Sequence, residues 1–150
     1  MLQPIKIDTH PLNNPWLNYS VYLCNTLVPG VLMLLIFMVT VFSIGVEIKE
    51  ATAREWLELS GDSIGTALIG KLLPHTALFF LMGIFYNVYL YGILHFPCNS
   101  GMLPMLFATL CLIVASQCCG IAMIGALPTL RLGLSIASLW GVISFSISGI

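Results

Sequence analysis

Leu27-Val28-Pro29-Gly30-Val31-Leu32-Met33-Leu34-Leu35-Ile36-Phe37-Met38-Val39-Thr40-Val41-Phe42-Ser43-Ile44-Gly45-Val46 is a run of twenty residues without Asp, Glu, Lys or Arg. Wound as an α-helix it would be about 30 Å long, the thickness of the hydrocarbon core of a bilayer. The run sits inside the first of two uncharged tracts, Thr9 to Val46 and Leu72 to Leu130, which together make up most of the chain. Of the 150 residues, 59% are hydrophobic and 7% charged, whereas an ordinary soluble domain has roughly 25% charged residues. So few charges cannot clothe a water-facing surface. The expected fold is all-α: a polytopic transmembrane helical bundle of about four membrane helices, with the lipid bilayer as its solvent.

A net charge of −1 creates no long-range field of one sign, which removes the electrostatic basis for nucleic acid as a partner. The five cysteines, Cys24, Cys98, Cys111, Cys118 and Cys119, form no C-x-x-C pair and have no His at metal-ligand spacing. They read as buried apolar thiols. Met1 to Ile7 does not read as a signal peptide, because Pro4 and Lys6 interrupt it before an apolar core forms.

Residues 1–26 read as an external, interfacial lead-in. Pro4, Pro11 and Pro15 with Asn13, Asn14 and Asn18 break helices, and Trp16 and Tyr19 stand where interfacial aromatics belong. Residues 27–150 form the transmembrane domain, with helices expected at about 27–46, 63–91, 102–127 and 132–150. Pro29 would fall in the first turn of the first helix, where a missing N–H costs least. Asp62 or Ser63 would cap the second helix and Pro74 would kink it near its entry. The turn formers in His95-Phe96-Pro97-Cys98-Asn99-Ser100 mark a loop, with Tyr86, Tyr89 and Tyr91 as an aromatic belt before it. Pro128 and Arg131 close a tight turn before the last apolar stretch. That stretch reaches Ile150 without a polar flank, so the chain is expected to stop before the natural protein does.

Seven of the eleven charges, Glu47, Lys49, Glu50, Arg54, Glu55, Glu58 and Asp62, fall between Glu47 and Ser63. This segment cannot lie in hydrocarbon. Thr52 followed by Glu55 is a capping-box pattern, predicting a short amphipathic helix from Ala53 to Ser60 that stops at Gly61, with Ala53, Trp56, Leu57 and Ser60 on one stripe. If the helices alternate, Lys49, Arg54, Lys71 and Arg131 share one side, and the loop on the other side has no Lys or Arg. The positive-inside rule then puts the short helix in the cytoplasm. Gly133, Ala137 and Gly141, every fourth residue of the last helix, would let another helix backbone approach closely in packing.

Gly65-Thr66-Ala67-Leu68-Ile69-Gly70-Lys71 fits seven positions of a phosphate-binding P-loop, but Leu72 stands where Mg²⁺ needs Ser or Thr, and no strand precedes it. Lys71 reads instead as a cation snorkelling to the interface. His75 titrates near neutral pH, yet no carboxylate follows it to relay a proton. Gln117 is the one strongly polar amide deep in a span; it bonds across helices or lines a translocation path, and the sequence does not choose. No nucleophile and base pair, metal cluster or apolar carboxylate pair points to catalysis.

These pieces occur in a recognisable order: Asn14-Pro15 with Asn18-Tyr19, Val28-Pro29-Gly30, then Glu47-x-x-Glu50-Ala51-Thr52-x-x-Glu55-Trp56-Leu57, and Gly70-Lys71-Leu72-Leu73-Pro74. The order resembles the membrane-spanning permease subunit of an ABC-2 type ABC exporter over nearly the whole chain, including Ser146-Ile147-Ser148-Gly149 at the start of a re-entrant turn. The resemblance implies the second to fifth helices of a six-helix permease in the bacterial inner membrane. It further implies a cytoplasmic coupling helix over about 51–60, contacting a separate ABC ATPase through Glu47, Glu50, Thr52, Glu55, Trp56 and Leu57. This chain would then have no cofactor of its own, with ATP and Mg²⁺ on the partner. A second permease copy or paralogue and a periplasmic adaptor complete the implied assembly. Ala51 departs from the family, where Gly commonly precedes the Thr. Two other readings compete: a non-transporting structural or assembly membrane protein, and a proton-coupled carrier.

Overall fold

The computed structural model describes residues 19–96, 101–127 and 129–147. The Asn14-Pro15 pair, Trp16, Cys98, Pro128 and the Ser148-Gly149 end of the expected re-entrant turn lie outside the described residues. The described chain is helical without strands: α1 Tyr19–Lys49, α2 Ala53–Leu59, α3 Ile64–Asn87 continued by a π-helical turn Val88–Ile93, α4 Met102–Ala126 and α5 Leu130–Ile147. Four of these, α1, α3 with its π turn, α4 and α5, are long and apolar enough to cross a membrane. Their outward surface is oily, with Phe85 71%, Leu103 81%, Phe107 68% and Trp140 50% exposed. Patches of that kind are stable against acyl chains and not against water. The protein is a multi-pass membrane protein.

Contacts fix the relative directions of the four long helices. Gly30 meets Phe145, Leu34 meets Gly141, Val41 meets Gly133 and Gly45 meets Leu130, so α1 and α5 are antiparallel. Gly120 of α4 lies on Thr40 of α1 and Ile124 lies on Gly45, so those two helices run parallel. Gly83 against Thr109 and Thr76 against Gln117 make α3 antiparallel to α4. The helices therefore alternate, and α1 packs mainly on α5 and α4 while α3 packs mainly on α4. Lys49, Arg54, Lys71 and Arg131 all fall toward the end of the bundle that carries α2.

Lipid tails are as apolar as leucine, so close packing rather than exclusion from water holds such helices together. Phe37, Val41 and Ile44 of α1 join Leu72, Ile124 and Ala137 in one buried cluster, and Ile36, Phe79 and Ile113 form a second. The buried residues of α5 are Gly133, Ala137 and Gly141.

Three local features differ from the sequence expectation. α1 starts at Tyr19 rather than near Leu27, so the end of the expected lead-in is helical and Pro29 lies in the helix interior. A helix is the only conformation that satisfies backbone groups locally in lipid, which outweighs the local helix breakers. The Tyr86 hydroxyl donates to the Cys24 carbonyl at 2.8 Å beside this weakened turn. The second span does not end as an α-helix near Tyr91; it widens into the π turn, where the Leu94 N–H reaches the Tyr89 carbonyl. Asn87, whose Nδ2 donates to the Gly83 carbonyl and to Thr109, precedes it, and such widened turns are rare and frequent at functional sites. Finally, Cys111, Cys118 and Cys119 are not buried in the protein but exposed on the outside of α4. Lipid supplies the apolar surroundings that the sequence assigned to a protein core.

Candidate functional site

At the α2 end the chain gathers its polar groups into a junction. α1 ends at Lys49, Ala51 takes a left-handed conformation with φ +59°, and the chain turns directly into α2. The expected capping box does not form. Thr52 adopts a helical conformation without a side-chain cap, and its hydroxyl donates to the Glu47 carboxylate. A charged oxygen is the stronger acceptor, and the turned backbone takes the hydroxyl away from the α2 N–H groups. Glu47 also receives the Lys71 ammonium from α3. Lys71 in turn lies 5.0 Å from the centre of the Trp56 ring, within reach of a cation–π attraction.

One carboxylate, one ammonium, one hydroxyl and one indole thus tie α1, α2 and α3 together. Glu47 and Lys71 side chains are each only 20% exposed. Ala53, Trp56, Leu57 and Ser60 are half-buried toward the bundle, while Glu50, Arg54, Glu55, Glu58 and Leu59 are exposed. Arg54 pairs with Glu58 along the helix at 3.0 Å. Ser60 donates to the Leu57 carbonyl and Gly61, at φ +70°, ends the helix. Ser63, not Asp62, then caps α3 by accepting from the Thr66 N–H. Gly65 to Lys71 is continuous helix, with no loop to cradle a phosphate.

The left-handed turn at Ala51 gives a direct prediction. A Cβ in that conformation costs about 1–2 kcal/mol, partly offset by the greater freedom glycine has when unfolded. Ala51→Gly is expected to stabilise the junction by about 0.5–1 kcal/mol, seen as slower amide exchange over residues 50–53. Faster exchange would show that the turn is not held this way.

Deeper in the bundle, Gln117 is buried, and its Oε1 lies 2.8 Å from the Thr76 hydroxyl across α3 and α4. Among the described residues its Nε2 has no hydrogen-bond partner, nor has the buried Thr40 hydroxyl on α1. His75 uses Nδ1 on the Lys71 carbonyl at 3.0 Å. The structure thus places the α2 residues together, Gln117 within the α3–α4 contact and Gly133, Ala137 and Gly141 against α1, three separate sites. At the opposite end lies a cavity of about 670 Å³ between α1, α3 and α4, in the size range of small-molecule sites. Its apolar wall carries a few polar groups, Asn25, Tyr86, Asn87 and Tyr91, with the Tyr91 hydroxyl donating to Asn25 Oδ1 at 3.1 Å. Sequence reading took these tyrosines for an interfacial belt. The cavity arises because α1 touches α3 sparsely, which no residue pattern announces.

No group of three or more His, Cys, Asp or Glu that could hold a metal occurs among the described residues. No family model, curated protein or solved structure matches the chain.

Proposed function

We propose that the chain is a membrane-spanning permease subunit of an ATP-driven ABC-2 type exporter, with α2 as the helix that receives motion from a separate ATPase. The observation that carries this reading is the junction at the α2 end. A wet, seven-residue helix is fastened to two spans through Glu47, Lys71, Thr52 and Trp56, while Glu50, Glu55, Glu58 and Leu59 face outward. A helix bound this way on one side and bare on the other transmits a push from a docked partner into α1 and α3 as a unit. The acidic outer face suits a basic groove on that partner, and the excess of Lys and Arg at this end supports a cytoplasmic orientation by the positive-inside rule; the family reading adds that the membrane is the bacterial inner one. ATP and Mg²⁺ bind the partner. The turn at Ala51 also supports the family reading, since the commoner Gly is the residue its left-handed conformation favours.

The test is capture of tagged protein from its native membrane. It is expected to co-purify with an ABC-type ATPase whose hydrolysis rises in the complex. Glu55→Arg is expected to cut that rise at least about tenfold by opposing the partner's charge, equivalent to about 1.4 kcal/mol of docking. A structural or assembly protein would instead purify with partners that hydrolyse no ATP, and an unchanged ATPase response in Glu55→Arg and Trp56→Ala would remove α2 from the coupling role.

A further inference from the structure

The second charged feature of this end is separate from the α2 junction. Where α1 finishes and α5 begins, a groove of about 590 Å³ is lined by Ile48, Lys49, Thr129, Leu130, Arg131 and Leu134. Two cations from different helices share this groove, and no carboxylate lines it among the described residues. The ion pairs of the described chain use Lys71 with Glu47 and Arg54 with Glu58, so Lys49 and Arg131 have no anionic partner there. Thr129 Oγ1 accepts from the Leu132 N–H and its carbonyl accepts from the Gly133 N–H, so α5 begins at the groove, and the positive end of its helix dipole lies at the same place.

The position is decisive for the occupant. Gly45 packs on Leu130 just inside the groove, so the groove opens at the boundary between the apolar body of the bundle and its charged end. Ile48, Leu130 and Leu134 give it apolar walls, whereas a site for a free anion would be walled by polar groups. We infer that the groove between the end of α1 and the start of α5 binds the phosphodiester headgroup of an anionic phospholipid, held by Lys49 and Arg131, with an acyl chain along the apolar α1–α5 surface. Basic pockets between membrane helices suit this chemistry, and an anionic headgroup between two cations offsets their mutual repulsion. The inference requires a multi-pass membrane protein and does not depend on export.

The experiment uses the full chain in neutral detergent, titrated with phosphatidylglycerol or with phosphatidylcholine and read by native mass spectrometry and by the unfolding midpoint. Phosphatidylglycerol is expected to bind and raise the midpoint, and phosphatidylcholine to do neither. Each lost cation should weaken phosphatidylglycerol about fivefold, and Lys49→Gln with Arg131→Gln together about thirtyfold. Both side chains are exposed, so folding should survive, and Lys49→Arg with Arg131→Lys should restore binding. Arg54→Gln, which removes one charge from exposed α2, should leave it unchanged. Equal binding of the two lipids, or equal loss in Arg54→Gln, would overturn the site. Inorganic phosphate reproducing the stabilisation would assign the groove to a free anion and overturn the lipid.

Discussion

Gly120→Leu is expected to destabilise the bundle by about 3 kcal/mol, the upper range for forcing extra methylenes into a packed contact. A Cβ at position 120 would lie 3.0 Å from both Cβ and Cγ2 of Thr40 and 3.7 Å from the Phe37 carbonyl oxygen. Those atoms sit on or next to the α1 backbone and cannot swing aside, so α1 and α4 must separate. In lipid no gain from burying the new side chain offsets the lost contacts. Gly120→Ala should cost far less, because relief of the glycine penalty in a helix, about 1 kcal/mol, works against the clash. Gly125, on the same helix, has nothing within 4 Å of its Cβ position, and Gly125→Leu should hold or raise the unfolding midpoint in detergent as the glycine penalty is relieved. An equal loss at both positions would show that the α1–α4 contact is not the tight one.

The second large effect belongs to the Glu47–Lys71 pair. Each side chain is 20% exposed, between the surface case, where a pair is worth about 0–1 kcal/mol, and the buried case, where stranding one partner costs about 3–5. Glu47→Gln is therefore expected to cost about 2 kcal/mol, and Lys71→Met a similar amount. Glu47→Gln also weakens the acceptor of Thr52, while Lys71→Met removes the cation from Trp56. The double variant should cost clearly less than the two losses together, because neither charge is then stranded, with a coupling of about 1–2 kcal/mol in a double-mutant cycle. Amide exchange in α2 should accelerate in each single variant, since its ties to α1 and α3 pass through this pair. Additive losses would mean that the two groups act separately.

The four long helices and the wet helix between the first two could be read from the chain because both signals are local. An uncharged run such as Leu27 to Val46 has no stable place in water, and the charge cluster from Glu47 to Asp62 has none in lipid. The half-buried stripe of Ala53, Trp56, Leu57 and Ser60 follows from helical spacing alone. What escaped the reading depends on register between helices. Glu47 and Lys71 are 24 positions apart and meet only because α1 and α3 are antiparallel. Thr52 offered a capping pattern, and the competitor for its hydroxyl was a carboxylate on another element. Pro29 signals a helix start in water, whereas in lipid the helix runs through it to Tyr19. The cavity beside Asn87 and the groove beside Lys49 are spaces left between elements, and spaces have no sequence signature.

The junction at the α2 end explains why so short a helix can hold a fixed position on the bundle. Helices of this length are marginal alone, and α2 is fixed from outside itself by Thr52 on Glu47 and by Trp56 beside Lys71. Its outward residues, Glu55, Glu58 and Leu59, make no contribution to that anchoring, and Leu59 is 89% exposed.

A photo-crosslinking amino acid placed at Leu59, in protein expressed in its native membrane, asks directly what α2 touches. The export reading predicts a single major adduct with an ABC-type ATPase, lost when the same probe is moved to Leu103 on the opposite, lipid-facing end. Adducts only to lipid, or only to proteins without an ATP-binding domain, would contradict it.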